Sequence, residues 1–110
     1  MRHLALALGF LAVVACSSSV EPASVHVVSS DYSQSCATAD DCVAIATGPL
    51  CGPCAPCPDA AISATDAQRE LQDERDLYLQ CPLEAAAACG ACGQVTLSCV
   101  AGLCQAAVQP

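Results

Sequence analysis

The 110-residue chain has no tryptophan, no lysine and one phenylalanine, and its cationic side chains are Arg2, Arg69 and Arg75 against 11 acidic residues. Binding a nucleic acid requires clustered Lys and Arg to displace phosphate counterions, and a polybasic membrane contact requires the same, so both classes of function are excluded. Imidazole is equally scarce. His3 and His26 both precede the cysteine-rich stretch that starts at Cys36, which leaves no histidine there to act as a general base. Large apolar side chains are few as well. Residues 36–104 offer only Val43, Ile45, Leu50, Ile62, Leu71, Leu77, Leu79, Leu83, Val95, Leu97, Val100 and Leu103, with Tyr78. The 55% hydrophobic content rests largely on 22 Ala and 11 Cys, which bury little area each. A core that thin does not offset the entropy of ordering a domain of this size, so covalent staples are expected.

What is present begins with an address. Met1-Arg2-His3 is a short basic start, followed by an apolar run from Leu4 to Val14. As a helix this run would span about 16 Å, half the hydrocarbon thickness of a bilayer, which suits a signal-peptide core and not a membrane-spanning anchor. The run ends in Val13-Val14-Ala15-Cys16, which resembles the lipobox of bacterial lipoproteins. The resemblance implies cleavage between Ala15 and Cys16 and a diacylglycerol thioether on the Cys16 sulfur, with fatty-acyl (palmitate-type) chains in the membrane. Ser17 follows where lipoproteins kept at the inner membrane typically carry Asp, so the resemblance points to the outer membrane of a bacterial cell envelope.

Cysteine parity agrees with this reading. Setting Cys16 aside leaves Cys36, Cys42, Cys51, Cys54, Cys57, Cys81, Cys89, Cys92, Cys99 and Cys104, an even number in an exported chain and therefore a candidate disulfide set. Cleavage would leave Arg69 and Arg75 against all 11 acids, a net charge of −9, which repels an anionic membrane surface. The expected organisation is a signal peptide over residues 1–15, a lipidated cysteine and Ser-rich tether over 16–35, and a cysteine-rich domain over 36–110. Val25, Val27 and Val28 offer the alternative that part of the tether adds an edge strand.

Within the domain, Cys42-Val43-Ala44-Ile45-Ala46 and Val95-Thr96-Leu97-Ser98-Cys99-Val100 read as strands, and Cys99-Val100-Ala101-Gly102-Leu103-Cys104 reads as a tight hairpin with Gly102 at positive φ. From Ala60 to Leu79 there is no Gly or Pro, and the composition predicts a helix. Asp59 or Ser63 would cap it, Thr65-Asp66-Ala67-Gln68 offers a second start, and Ala64, Ala67, Leu71 and Tyr78 form the expected inner face. Asp40-Asp41 reads as a turn, and Asp73, Glu74 and Asp76 as a solvated helix face. Cys81-Pro82 ends the helix.

Cys51-Gly52-Pro53-Cys54 reproduces the dithiol motif of thioredoxins, but Pro56 and Pro58 follow closely, and the alternating strands and helices that give the motif its chemistry are missing. With Pro49, Pro53, Pro56 and Pro58 the segment favours a polyproline conformation. That would line Cys51, Cys54 and Cys57 along one edge about 9 Å apart, too far to bridge one another. Each is then expected to reach a different element, as a stapling ladder. The Cys51-x2-Cys54-x2-Cys57 and Cys89-x2-Cys92 spacings also suit a metal site, but in an oxidising compartment disulfides are favoured, and no metal or cofactor is expected. Ten cysteines allow on the order of a thousand connectivities. Proximity favours Cys99–Cys104 and Cys36–Cys42 as local bridges.

The order Cys36-x5-Cys42-Val43, the Cys/Pro cluster, Ala60-Ala61-Ile62-Ser63, Cys81, and Cys99-Val100-x-Gly102-x-Cys104 resembles small cysteine-cluster lipoproteins of bacteria. This chain carries more cysteines than the related eight-cysteine-cluster pattern. The resemblance implies no activity. The resulting expectation is a small disulfide-rich α+β fold, with one helix packed on a short antiparallel sheet or hairpin. It would be held to the membrane by its lipid and act non-enzymatically as a binding or structural module with a protein partner at the cell envelope. Two alternatives are kept: a protease-inhibitor-like module presenting loop 47–50 or 82–88, and a thiol–disulfide oxidoreductase using Cys51 and Cys54.

Overall fold

The computed structural model describes residues 25–81 and 89–110. Among these residues, two short antiparallel sheets pack together beside one α-helix. Strand β1 (Cys42–Ile45) pairs with β2 (Ala60–Ser63), in the register Cys42 to Ser63 through Ile45 to Ala60. Helix α1 (Ala67–Tyr78) follows a 3-10 turn at Ala64–Asp66. Strands β3 (Gln94–Val100) and β4 (Leu103–Gln109) form a hairpin that packs on the first sheet, β4 against β2 and β3 against β1. This is the disulfide-rich α+β arrangement expected of so thin a core.

The hairpin turn has both central residues at positive φ, Ala101 at 52° and Gly102 at 75°. That is the turn whose twist matches the flanking strands, and Gly102 adopts it without Cβ strain.

The expected helix over 60–79 is corrected at its start. Residues 60–63 form β2, because pairing with β1 satisfies their backbone while Ala61, Ile62 and Ser63 become buried. Tertiary packing here overrides the helical propensity of the two alanines. The inner face differs in part from the expectation: Tyr78 packs against the core as expected, but Leu71 is 44% exposed, while Glu70 is buried and Leu77 packs against the core.

The boundary at Cys36 is corrected as well. Residues 25–35, expected as tether, belong to the folded unit. Val25, Val27 and Tyr32 are buried with Ile45, Leu50 and Ile62, forming the main apolar core. Their backbone is tied in at several points: the Leu50 N–H donates to Val25 O at 2.9 Å, and the Ser63 N–H to Ser33 O at 2.7 Å. The Cys104 N–H donates to Gln34 O at 2.7 Å and the Cys36 N–H to Gly102 O at 3.0 Å, so residues 34–36 lie along the outer edge of β4. The serines suggested a tether, but the thin core needed the valines and the open edge of β4 needed partners. The part of the expected tether before Val25, the signal peptide and Cys16 lie outside the described residues.

Candidate functional site

Cysteine sulfur is the dominant reactive chemistry of this fold. The ten domain cysteines form five bridges: Cys36–Cys99, Cys42–Cys104, Cys51–Cys81, Cys54–Cys89 and Cys57–Cys92. Their Cα separations run from 5.2 to 6.0 Å, inside the range a disulfide spans. The expected local bridges Cys99–Cys104 and Cys36–Cys42 are not those formed. Cys99 and Cys104 face one another in the hairpin register, but each sulfur crosses to another segment, Cys99 to Cys36 and Cys104 to Cys42. The bridges close loops of 63 and 62 residues, which constrain an unfolded chain more than short loops would.

The Cys/Pro cluster forms a ladder. Cys54-Ala55-Pro56-Cys57 lies beside Cys89-Gly90-Ala91-Cys92, with rungs three residues apart on both sides, and all four cysteines are exposed. Between them lies a shallow groove of about 310 Å³ with Ala55, Pro56, Gly90 and Ala91 on its walls. The third rung, Cys51–Cys81, ties the segment to the chain three residues past the end of α1. Cys51 and Cys54 of the thioredoxin-like motif are thus bonded to Cys81 and Cys89 and not to each other. The sulfurs whose spacing suits a metal all lie in these bridges.

Loop 47–50, the segment expected to be presented by an inhibitor-like module, is tied down at both ends. Thr47 donates its N–H at 2.8 Å and its hydroxyl at 3.0 Å to Asp59 Oδ1, and Leu50 is buried in the core. Asp59 therefore closes this loop and does not cap the helix. Loop 82–88 lies outside the described residues. Asp40 and Asp41 sit in a turn, as expected, where Asp41 Oδ2 accepts the N–H groups of Ala37 at 2.7 Å and Thr38 at 3.0 Å. Those donors hold the Asp41 carboxyl below its ordinary value.

A second polar assembly lies between residues 26–33 and α1. The Tyr32 hydroxyl donates to Asp73 Oδ2 at 2.7 Å, and the Arg69 guanidinium stacks 4.5 Å from the Tyr32 ring centroid. Asp66 accepts the Ser33 N–H at 2.6 Å and Arg69 at 3.1 Å, and these contacts lower its carboxyl pKa, the Ser33 bond most. Glu70 is 4% exposed and its Oε1 has no hydrogen-bond partner. Burial first, then Glu74 and Asp73, raise the Glu70 carboxyl pKa above its ordinary value. Burial and the bond to Asp73 likewise raise the Tyr32 phenol. His26 lines an open cavity of about 300 Å³ beside Asp31, Tyr32, Asp73 and Asp76. An imidazole expected to stand off in a tether is thus part of the folded unit.

Sequence reasoning missed His26, Tyr32 and Glu70 for one reason: all three become legible only once residues 25–35 are docked. The signal within reach was the alternation at Val25 and Val27, which suits an extended segment with one buried face.

Family models, curated proteins and solved structures offer no match to this chain. Among the described residues no helix is long and apolar enough to cross a membrane.

Proposed function

We propose that this chain is a lipid-anchored protein of the bacterial cell envelope whose disulfide-knit domain acts as a binding or structural module. One observation carries the reading. The ten cysteines from Cys36 to Cys104 pair among themselves, and Cys16 is the eleventh cysteine of the sequence, outside those five bridges. It stands at the end of a short apolar run, in the lipobox-like Val13-Val14-Ala15-Cys16, where a thioether to diacylglycerol would be formed. With Ser17 next, the anchor favours the outer membrane.

Val25 is already buried in the folded unit, so at most residues 17–24 separate that unit from the lipidated cysteine. Even fully extended they reach about 30 Å, which keeps the module close to the headgroups. The excess of acidic residues favours a protein partner with a basic surface over an anionic lipid face.

The test compares wild type with Cys16→Ser after expression in a bacterium. The wild-type protein is expected in the detergent phase, with acyl mass on Cys16 and no domain thiol alkylated before reduction. The variant is expected in the aqueous phase. A wild-type protein without acyl mass, or one as soluble as the variant, overturns the reading.

A further inference from the structure

Two of the five bridges touch. The sulfurs of Cys36, Cys42 and Cys104 all lie within 4.8 Å of one another, although Cys36 is bonded to Cys99 and Cys42 to Cys104. The fourth cysteine is held near by the hairpin, where Cys99 directly faces Cys104. The Cys104 N–H points outward to Gln34 O, so this is a non-hydrogen-bonded cross-strand pair. Cα atoms in such a pair stand about 4.5 Å apart, which a disulfide can span. A second pairing, Cys36–Cys42 with Cys99–Cys104, therefore joins cysteines that already stand as neighbours. Burial sets the order of attack. Cys42 and Cys104 are 5% and 6% exposed, while Cys36 and Cys99 are half-buried, so a thiolate arriving from solvent meets Cys36–Cys99 first.

We propose that Cys36, Cys42, Cys99 and Cys104 form a thiol–disulfide exchange centre whose co-reactant is a small-molecule thiol. The incoming thiolate attacks the Cys99 sulfur. A mixed disulfide forms there, the Cys36–Cys99 bond breaks, and its electron pair leaves on Cys36 as a thiolate. Cys36 attacks the Cys42 sulfur, forming Cys36–Cys42 and expelling Cys104 as a thiolate. Cys104 attacks Cys99 in the mixed disulfide, forming Cys99–Cys104 and returning the external thiolate. Two protein disulfides exist before and after, nothing is oxidised or reduced overall, and the thiol is regenerated. The consequence is topological. The observed bridges tie the hairpin to β1 and to the edge segment at residues 34–36, and the exchanged pair removes both ties. A buried bridge is opened through its neighbour. The centre involves neither the Cys51/Cys54 motif nor the lipid anchor.

Two experiments on the full chain test this. In Cys99→Ala, the Cys36 thiol stands beside Cys42–Cys104. After incubation at mildly alkaline pH, acid quench, alkylation and peptide mapping, roughly a tenth or more of the free thiol is expected at Cys42 or Cys104. Free thiol confined to Cys36 overturns the proposal. If that variant does not fold, wild-type protein treated with reduced glutathione decides. A time-resolved peptide linking Cys36 to Cys42 or Cys104 supports the centre. Glutathione fixed at Cys36 or Cys99 with Cys42–Cys104 intact, or no reaction at any of the four, overturns it.

Discussion

Beside α1 the apolar core is hydrocarbon, with Val25, Val27, Ile45, Leu50 and Ile62 around Tyr32, whereas between the two sheets it is Cys42, Ala61 and Cys104. The first region is held by apolar area removed from water, which is cooperative and indifferent to redox state. The second has too little area for that and is held by covalent bonds between distant parts of the chain. A domain this small can thus divide its support between two chemistries, each failing under different conditions.

Removing the sulfur support should have the largest effect. Replacing Cys42 and Cys104 together by Ala opens a 62-residue loop and is expected to cost about 4 kcal/mol. Hydrogen exchange should show the β3–β4 amides losing protection before those around Ile62. Equal loss in both regions would mean that the two supports are one cooperative unit. Ile62→Ala probes the other side. Truncating this fully buried side chain should cost about 3 kcal/mol of unfolding free energy in a denaturant titration, with the five bridges still resistant to alkylation.

A smaller effect separates the two regions by pH. Glu70 is buried in the hydrocarbon half with a raised carboxyl pKa, so the folded protein keeps that proton to higher pH than the unfolded chain does. Its contribution to stability is complete below the ordinary value of 4.5 and is lost as pH climbs through the raised one. Asp41, beside the sulfur half, runs the opposite way. Its contribution is present above 3.8 and is lost as pH falls through the depressed value. Glu70→Gln should therefore stabilise the protein near neutral pH by on the order of 1 kcal/mol. It should also flatten the decline in stability from mildly acid to neutral conditions. Denaturant midpoints at the two pH values measure this, and an unchanged slope would remove Glu70 as its source.

Legibility in the sequence followed the range of the interaction. The β3–β4 hairpin was readable because alternation in Val95 to Val100 and the Ala101-Gly102 turn are local signals. The helix was readable in its body, Ala67–Tyr78, for the same reason. The strand at 60–63 was not, because Ala60 and Ala61 prefer a helix until β1 lies beside them. Among the cysteines, the ladder spacing of Cys51, Cys54 and Cys57 signalled distant partners, since a stiff proline-rich segment keeps them apart. Cys36, Cys42, Cys99 and Cys104 were misread because the fold brings the Cys36, Cys42 and Cys104 sulfurs together with Cys99 facing Cys104, and nearness along the chain does not choose among such neighbours. The candidate site was the least legible part. His26, Tyr32 and Glu70 meet only through the docking of residues 25–35, which serine-rich composition concealed.

The smallest expected effect lies at the tip of the hairpin, where the sulfur half has a backbone defect that no bridge corrects. Ala101 sits at φ 52°, a conformation in which its Cβ crowds the following carbonyl, while Gly102 at 75° carries no such strain. Asparagine tolerates this region better than alanine and, ahead of glycine, favours the turn that the strands require. Ala101→Asn should raise stability by about 0.5 kcal/mol with all five bridges intact. The same gain should be seen in the Cys42→Ala/Cys104→Ala background, because turn strain and loop closure act on different states of the chain, the first on the native fold and the second on the unfolded ensemble. A gain that disappears in that background would show that the Cys42–Cys104 bridge itself imposes the Ala101 conformation, which would couple the turn to the exchange centre beneath it.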